Sequence, residues 1–189
     1  MRVLVTGGSK GIGKAIVDTL RKEGHEVDSW SRTEGYDLLK YNYDIENIDI
    51  LINNVGGGGT WSDETEQMDI NYLTMVDLIN QFVNQKKKWG RVITISSIYG
   101  KEKGHNPGFT ASKAAQIAYM KTMAGKYKGI TFNTICPGHI DVGKKFPDPV
   151  ISCGKPEDVA NLVSFLCSDK ADHINGATIT CDGGESHSF

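Results

Sequence analysis

The eight residues TGGSKGIG, positions 6–13, constrain this chain more than any other stretch. They join a β-branched run, RVLVTG (2–7), to a segment in which Ile12, Ala15, Ile16 and Leu20 recur at helical spacing until Gly24 stops it. A strand that turns through glycines directly into a helix is one half of a parallel crossover, and the pattern repeats along the chain. EVDSW (26–30) reads as a second strand, a thin run near 35–38 as a third and IDILINN (48–54) as a fourth. Met68, Tyr72, Leu73, Val76, Ile79 and Phe82 trace one face of a helix from about 65 to 85, and RVITIS (91–96) is the next strand. A helix carrying Ala111, Ala114, Ala115, Ala118 and Met120 follows, then ITFNTIC (130–136), stopped by Pro137-Gly138. KPEDVANLVSFLCS (155–168) is a helix with Pro156 in its first turn and Val159, Leu162, Val163 and Leu166 inward, and ATITC (177–181) is the last strand. Strictly alternating strands and helices predict an α/β fold, a doubly wound parallel sheet with helices on both faces. With 189 residues and no linker or repeat, residues 1–189 read as a single domain.

Charge and composition remove several classes of function. Twenty-one Lys and Arg against 23 Asp and Glu leave a net charge of −2, so no basic face for nucleic acid is expected. The KKK run at 86–88 reads as a solvated helix end suited to the negative pole of the helix dipole. No apolar run approaches the ~20 residues of a membrane span. Cys136, Cys153, Cys167 and Cys181 contain no C-x-x-C pair, and the chain runs straight into RVLVTGG, which reads as structure and not as a leader. Reduced thiols in a cytoplasmic protein are expected, and no metal site.

At the glycine turn, Gly7, Gly11 and Gly13 allow a tight reversal and close backbone approach, and the helix that follows presents unpaired N–H groups and a positive dipole end. That suits a pyrophosphate, although glycines at such a junction also serve packing alone. Five further motifs accompany the turn in order: NNVG (53–56), DINY with Asn71, ISSIYG (95–100), PGHI (137–140), and the C-terminal run KPEDVANLVSFLCSDKADHINGATITCDGG. Together they resemble the short-chain dehydrogenase/reductase family, over residues 3–184. The resemblance implies a Rossmann-type fold and a nicotinamide cofactor. It places Ser9, Lys10 and Ile12 along the phosphate turn, Asp37 and Leu38 at the adenine, Asn53 and Gly56 beside the adenosine ribose, and Pro137, Gly138 and Ile140 at the nicotinamide. The second strand ends Trp30-Ser31-Arg32, without the acid that NAD-binding members carry there. Arg32 and Lys10 could pair with a 2′-phosphate, so NADP is favoured over NAD.

The family reduces a carbonyl, or oxidises a secondary alcohol, with a tyrosine as proton donor four residues before a lysine, an arrangement that puts both on one helix face. Here the lysine is Lys113, the asparagine of the proton relay Asn71, and the serine that orients the carbonyl Ser97. Ser96 is the alternative by spacing from the tyrosine position. The tyrosine position itself holds Phe109, which has no proton to give. Three explanations stand side by side: an introduced Tyr-to-Phe change, a natural relative of weak or no activity, or a different donor among Tyr99, His105 and His139. Val142 replaces a frequent threonine after P-G-x-I, and the substrate lid between Pro137 and Pro156 is short, as is the connection from the second strand to the fourth. Two functions follow. One is an NADP-dependent oxidoreductase acting on a small-molecule carbonyl or alcohol substrate, a sugar derivative, acyl thioester or small ketone. The other is a non-catalytic NAD(P)-binding scaffold or sensor. Small residues on two faces of the helix after 109 suit either a homodimer or homotetramer interface or packing on the chain's own sheet.

Overall fold

Val3, Leu4 and Val5 of the opening strand are wholly buried, which places that strand inside a sheet covered on both faces. The computed structural model describes residues 1–40, 43–57, 63–85, 88–143 and 153–187. In chain order the elements are β1 (Arg2–Thr6), α1 (Gly11–Lys22), β2 (Glu26–Trp30), β3 (Ile50–Asn53), α2 (Glu64–Met68), α3 (Thr74–Asn84), β4 (Gly90–Ile95), α4 (Pro107–Met123), β5 (Ile130–Pro137), α5 (Pro156–Cys167) and β6 (Thr178–Cys181). The strands form one parallel sheet in the order β2-β1-β3-β4-β5-β6. This is the doubly wound arrangement that the alternation predicts.

Alternation along the strands sorts the core into two layers. Val3, Val5 and Ile52 face Ile16 and Leu20 of α1 and Val159, Val163 and Leu166 of α5. Leu4, Leu51, Val92 and Phe132 face Leu78, Ile79 and Phe82 of α3 and Met120 and Met123 of α4. Among the described residues no helix is long and apolar enough to cross a membrane. All four cysteines are free thiols.

Three expectations are corrected. The run near 35–38 is not a strand. Arg32–Glu34 form a short 3₁₀ turn, Gly35 adopts φ 91°, and Trp30 stacks on Tyr36 at 4.9 Å with Tyr43 tilted against both rings. The connection is too short to lay down another strand, so β3 pairs directly with β1 and β2 becomes the edge. The helix of 65–85 is broken in phase: a π turn over Asp69–Leu73 separates α2 from α3. The extra residue in that turn rotates Leu73 out to solvent (51% exposed) and turns Met75, Leu78, Ile79, Phe82 and Val83 inward. The open alternative that the α4 alanines pack on the sheet does not hold for Ala111, Ala114 and Ala118. The buried face of α4 is Gly108, Ser112, Lys113, Gln116, Met120 and Met123, while Ala111, Ala114 and Ala118 are exposed. Of the KKK run, Lys86 and Lys87 lie outside the described residues, as do positions 144–152 of the short lid.

The start of α4 is set by Asn106, whose Oδ1 accepts the Phe109 N–H at 3.0 Å, with Pro107 at the first helical position. Asn106→Ala is expected to lower stability by about 1 kcal/mol and the melting temperature by a few degrees, read by thermal circular dichroism.

Candidate active site

The sheet order reverses between β1 and β3, and the turns leaving these two strands are stitched together. Thr6 Oγ1 accepts the N–H groups of Asn54 and Val55, each at 3.1 Å. Asn54 Nδ2 donates to the carbonyls of Thr6 and Gly7 at 3.0 and 3.2 Å. Gly7 and Gly11 sit at φ 71° and 53°, where a side chain is strained, and a Cβ on Gly13 would run into the Gly7 carbonyl. Lys10, the N-cap of α1, makes no side-chain cap bond, so it does not satisfy the first-turn N–H groups. Ser9 and Ile12 are half-buried along this turn and Lys10 is exposed.

Two features test whether these residues suit a dinucleotide. The missing Cβ of Gly11 faces Val142 Cγ1 at 3.1 Å, so the loop after β5 closes on the glycine turn and a larger residue would crowd it. Asn53, at the end of β3, is 4% exposed, yet neither its Oδ1 nor its Nδ2 has a hydrogen-bond partner among the described residues. A buried amide left in that state wants a ligand. The residues fit the group.

At the end of β2 the structure adds an acid that the sequence reading missed. Ser29 Oγ and Ser31 Oγ both donate to Glu34 Oε2, at 2.9 and 2.5 Å. Ser29 Oγ also lies where a Cβ on Gly8 would fall, so the carboxylate is tethered next to the glycine turn. Two serines at i and i+2, on one side of a strand and followed by an acid, were the available signal. Arg32 is exposed beside them. Asp37 turns its carboxylate onto the Leu39 N–H (3.2 Å) and Lys40 (3.6 Å), while Leu38 packs against the α3 layer.

The other cluster centres on Lys113. The side chain is buried and its Nζ donates to the Ile95 carbonyl at 3.0 Å. Nζ also stands 5.6 Å from the centre of the Phe109 ring, within cation–π range. Burial pulls the amine down to about 8, with Cys136 opposing slightly. A Cβ on Gly56 would clash with Asn71 Oδ1 and come within 3.4 Å of Lys113 Nζ, so Gly56, Asn71 and Lys113 converge. Asn71 lies in the π turn and is held on three sides. Its Oδ1 accepts from Gly57 N (3.0 Å), its Nδ2 donates to Ser112 Oγ (2.9 Å), and its carbonyl accepts from Gln116 Nε2 (2.5 Å). Ser112 and Gln116 were missed, although both share the inward face of α4 with Lys113.

The two serines divide their work. Ser96 Oγ donates to the Lys113 carbonyl at 2.9 Å, tying α4 to the end of β4. Ser97 Oγ accepts the Tyr99 N–H at 3.2 Å and heads the turn Ile98–Gly100. Pro137 ends β5, Gly138 N donates to the Cys181 carbonyl (3.2 Å), and Ile140 is buried and bridged to Gly154. Among the described residues no group of three or more His, Cys, Asp and Glu could hold a metal ion.

A sequence model of the enoyl-(acyl carrier protein) reductase group of short-chain dehydrogenases matches residues 39–186. The acetoacetyl-CoA reductase of Shinella zoogloeoides is 30% identical over 235 residues, covering 96% of this chain and 97% of the relative. The 3-oxoacyl-[acyl-carrier-protein] reductase FabG of Rickettsia felis is 34% identical over 230 residues, covering 96% and 95%. Both alignments run longer than the 189 residues of this chain, so the relatives carry segments it lacks. A 3-ketoacyl-ACP reductase from Sinorhizobium meliloti superposes with a TM-score of 0.81 at 25% identity, covering 98% of each chain. An oxidoreductase of Burkholderia thailandensis shares the fold, with a TM-score of 0.85 at 24% identity over 97% of this chain and 91% of that one. The chain belongs to the short-chain dehydrogenase/reductase family.

The depressed Lys113 amine has a measurable consequence. Between about 8 and 10.5 the unfolded chain still binds the proton that the folded chain has released, so this group makes stability rise with pH across that window. Below about 8 the folded state carries a buried charge. Urea unfolding of wild type and Lys113→Met from pH 7.5 to 10.5 is expected to show that rise in the wild type and its loss in the variant.

Proposed function

We propose that this protein is an NADP-dependent carbonyl reductase acting on a 3-oxoacyl thioester, with Phe109 depressing its turnover. The observation that carries the reading is the buried Lys113 ammonium, bonded to the Ile95 carbonyl at the end of β4, with the Phe109 ring on one side and Gly56 and Asn71 close by. The relatives, an acetoacetyl-CoA reductase and a 3-oxoacyl-[acyl-carrier-protein] reductase, suggest the substrate class, an oxoacyl group on coenzyme A or acyl carrier protein.

In this reading one domain does both jobs. Gly7, Ser9, Gly11, Ile12 and Gly13 hold the pyrophosphate with backbone N–H groups and the positive end of α1. Asn53 and Gly56 flank the adenosine ribose, Asp37 and Leu38 the adenine, and Pro137, Gly138 and Ile140 the nicotinamide. Bound there, the nicotinamide supplies a hydride. Lys113 holds the nearer ribose and lends positive charge where alkoxide develops. Ser97 donates to the carbonyl oxygen and so fixes its direction, and Asn71 keeps the 56–57 turn and α4 in register around it. Phe109 closes an apolar wall but carries no acid. Four unbridged thiols suit a reducing compartment such as the cytoplasm. The exposed Ala111, Ala114 and Ala118 suit close helix pairing in a homodimer or homotetramer.

For the 2′-phosphate, Lys10 and Arg32 supply cations, while Glu34 opposes them with a carboxylate engaged by two serine hydroxyls. Arg32→Ala is expected to weaken NADPH binding about tenfold, and Glu34→Gln to strengthen it, by nicotinamide fluorescence titration. The scaffold reading draws on Phe109 and on an Asn71 fully tied to protein groups.

Phe109→Tyr separates the two readings. Restoring a general acid is expected to raise NADPH oxidation with acetoacetyl-CoA by ~10²-fold. NADPH binding with no turnover in either form would establish the scaffold. Failure to bind NADPH or NADH would end both readings.

A further inference from the structure

A second polar cluster lies on the loops around Ser97 and takes no part in the chemistry above. Tyr99 follows Ser97 by two residues, and its backbone N–H is the one Ser97 Oγ accepts. Its ring meets the edges of two imidazoles, His105 at 6.1 Å and His139 at 6.3 Å. A Cβ on Gly104 would lie 3.1 Å from Tyr99 Cβ and against the hydroxyl of Thr110, so Tyr99 also abuts the start of α4, next to Phe109. His139 therefore joins the Ser97 turn through the Tyr99 ring, at the end of the sheet where Phe109 lies.

Glu185 holds His139 in place. Its Oε2 accepts the His139 backbone N–H at 2.8 Å, and its Oε1 pairs with the ring Nδ1. The carboxylate is itself fixed by a turn in which Asp182 accepts the N–H groups of Gly184 (2.9 Å) and Ser186 (2.7 Å). A Cβ on Gly138 would fall against Glu185 and Asp182, so the absence of a side chain there lets the carboxyl-terminal segment close over the P-G turn. The His139 side chain remains 30% exposed and Glu185 20%, so the ring can exchange protons with water. The other two candidates fit a donor less well. Burial and the charges of Glu185 and Glu102 push the Tyr99 phenol up, making it a weaker acid. His105 is exposed and has no orienting carboxylate among the described contacts.

We propose that His139, oriented by Glu185, donates to the substrate carbonyl oxygen the proton that Phe109 cannot supply. This rests on the carbonyl-reductase reading. As the carbonyl carbon takes up hydride from the reduced nicotinamide, the C=O π pair moves onto oxygen. The Nε2–H bond of protonated His139 breaks while the new O–H bond forms. The neutral imidazole then recovers a proton from water, and the substrate leaves as the secondary alcohol. Glu185 acts as a positioning residue, holding the His139 backbone N–H and ring Nδ1 and so setting the direction of Nε2.

The test measures kcat and KM with NADPH and acetoacetyl-CoA in wild type, H139Q, H139G, E185Q, E185D, F109Y and F109Y/H139Q, together with NADPH binding by fluorescence. H139Q is expected to lower kcat by ~10²-fold, with KM and NADPH affinity within about threefold of wild type. E185Q is expected to lower kcat about tenfold and E185D to restore most of it. Added imidazole should recover part of the activity of H139G. The penalty of H139Q should shrink at least about tenfold in the F109Y background, because two groups serving one step are not additive. A kcat for H139Q within about threefold of wild type, or an equal H139Q penalty in both backgrounds, overturns the proposal and leaves the reductase reading standing. An inactive wild type with an active F109Y also overturns it. Absence of NADPH binding and of turnover in every protein removes the reductase reading and the proposal with it.

Discussion

A lysine side chain carried into the interior at the carboxyl ends of a parallel sheet is the constraint around which the rest of this molecule is arranged. An ammonium taken out of water is tolerated only with firm hydrogen bonds and polar neighbours. Lys113 gets them from the Ile95 carbonyl and from the π face of Phe109, with Gly56 and the Asn71 amide close to its Nζ. Each support comes from a different element, so β4, α4, the π turn and the loop after β3 must meet at one place. Ser96 locks the Lys113 backbone to the end of β4, and Gln116 locks the next turn of α4 to Asn71.

The same cluster shows what Phe109 contributes to the fold. The Phe109 ring packs beside Lys113 and brings no hydroxyl to that cluster. Asn71 is correspondingly occupied with structural work, bonded to Gly57, Ser112 and Gln116. On the loops nearby, His139 and Glu185 form a pair that depends on the chain returning to the P-G turn after β6.

The short connection after β2 has a comparable effect at the nucleotide end. With no strand outside it, β2 is the sheet edge, and Trp30, Tyr36 and Tyr43 stack at its end. The tight Arg32–Glu34 turn then swings Glu34 back onto Ser29 and Ser31. A carboxylate from beyond the strand is thereby held against its end.

Sequence alone determined the strand–helix alternation, the glycine turn and the placement of Lys113 and Phe109 one helical turn apart, because each follows from local periodicity or from glycine's freedom of backbone. It did not contain the phase of α3, since one added residue in the π turn rotates everything after it and leaves no compositional trace. It did not reveal Ser112 as the partner of Asn71, 41 residues away, or Glu185 as the partner of His139, 46 residues away. Those pairings exist only once packing of the two layers has set the distances between loops. Hydrogen bonds form over about 3 Å, and tertiary structure alone decides which distant residues come that close.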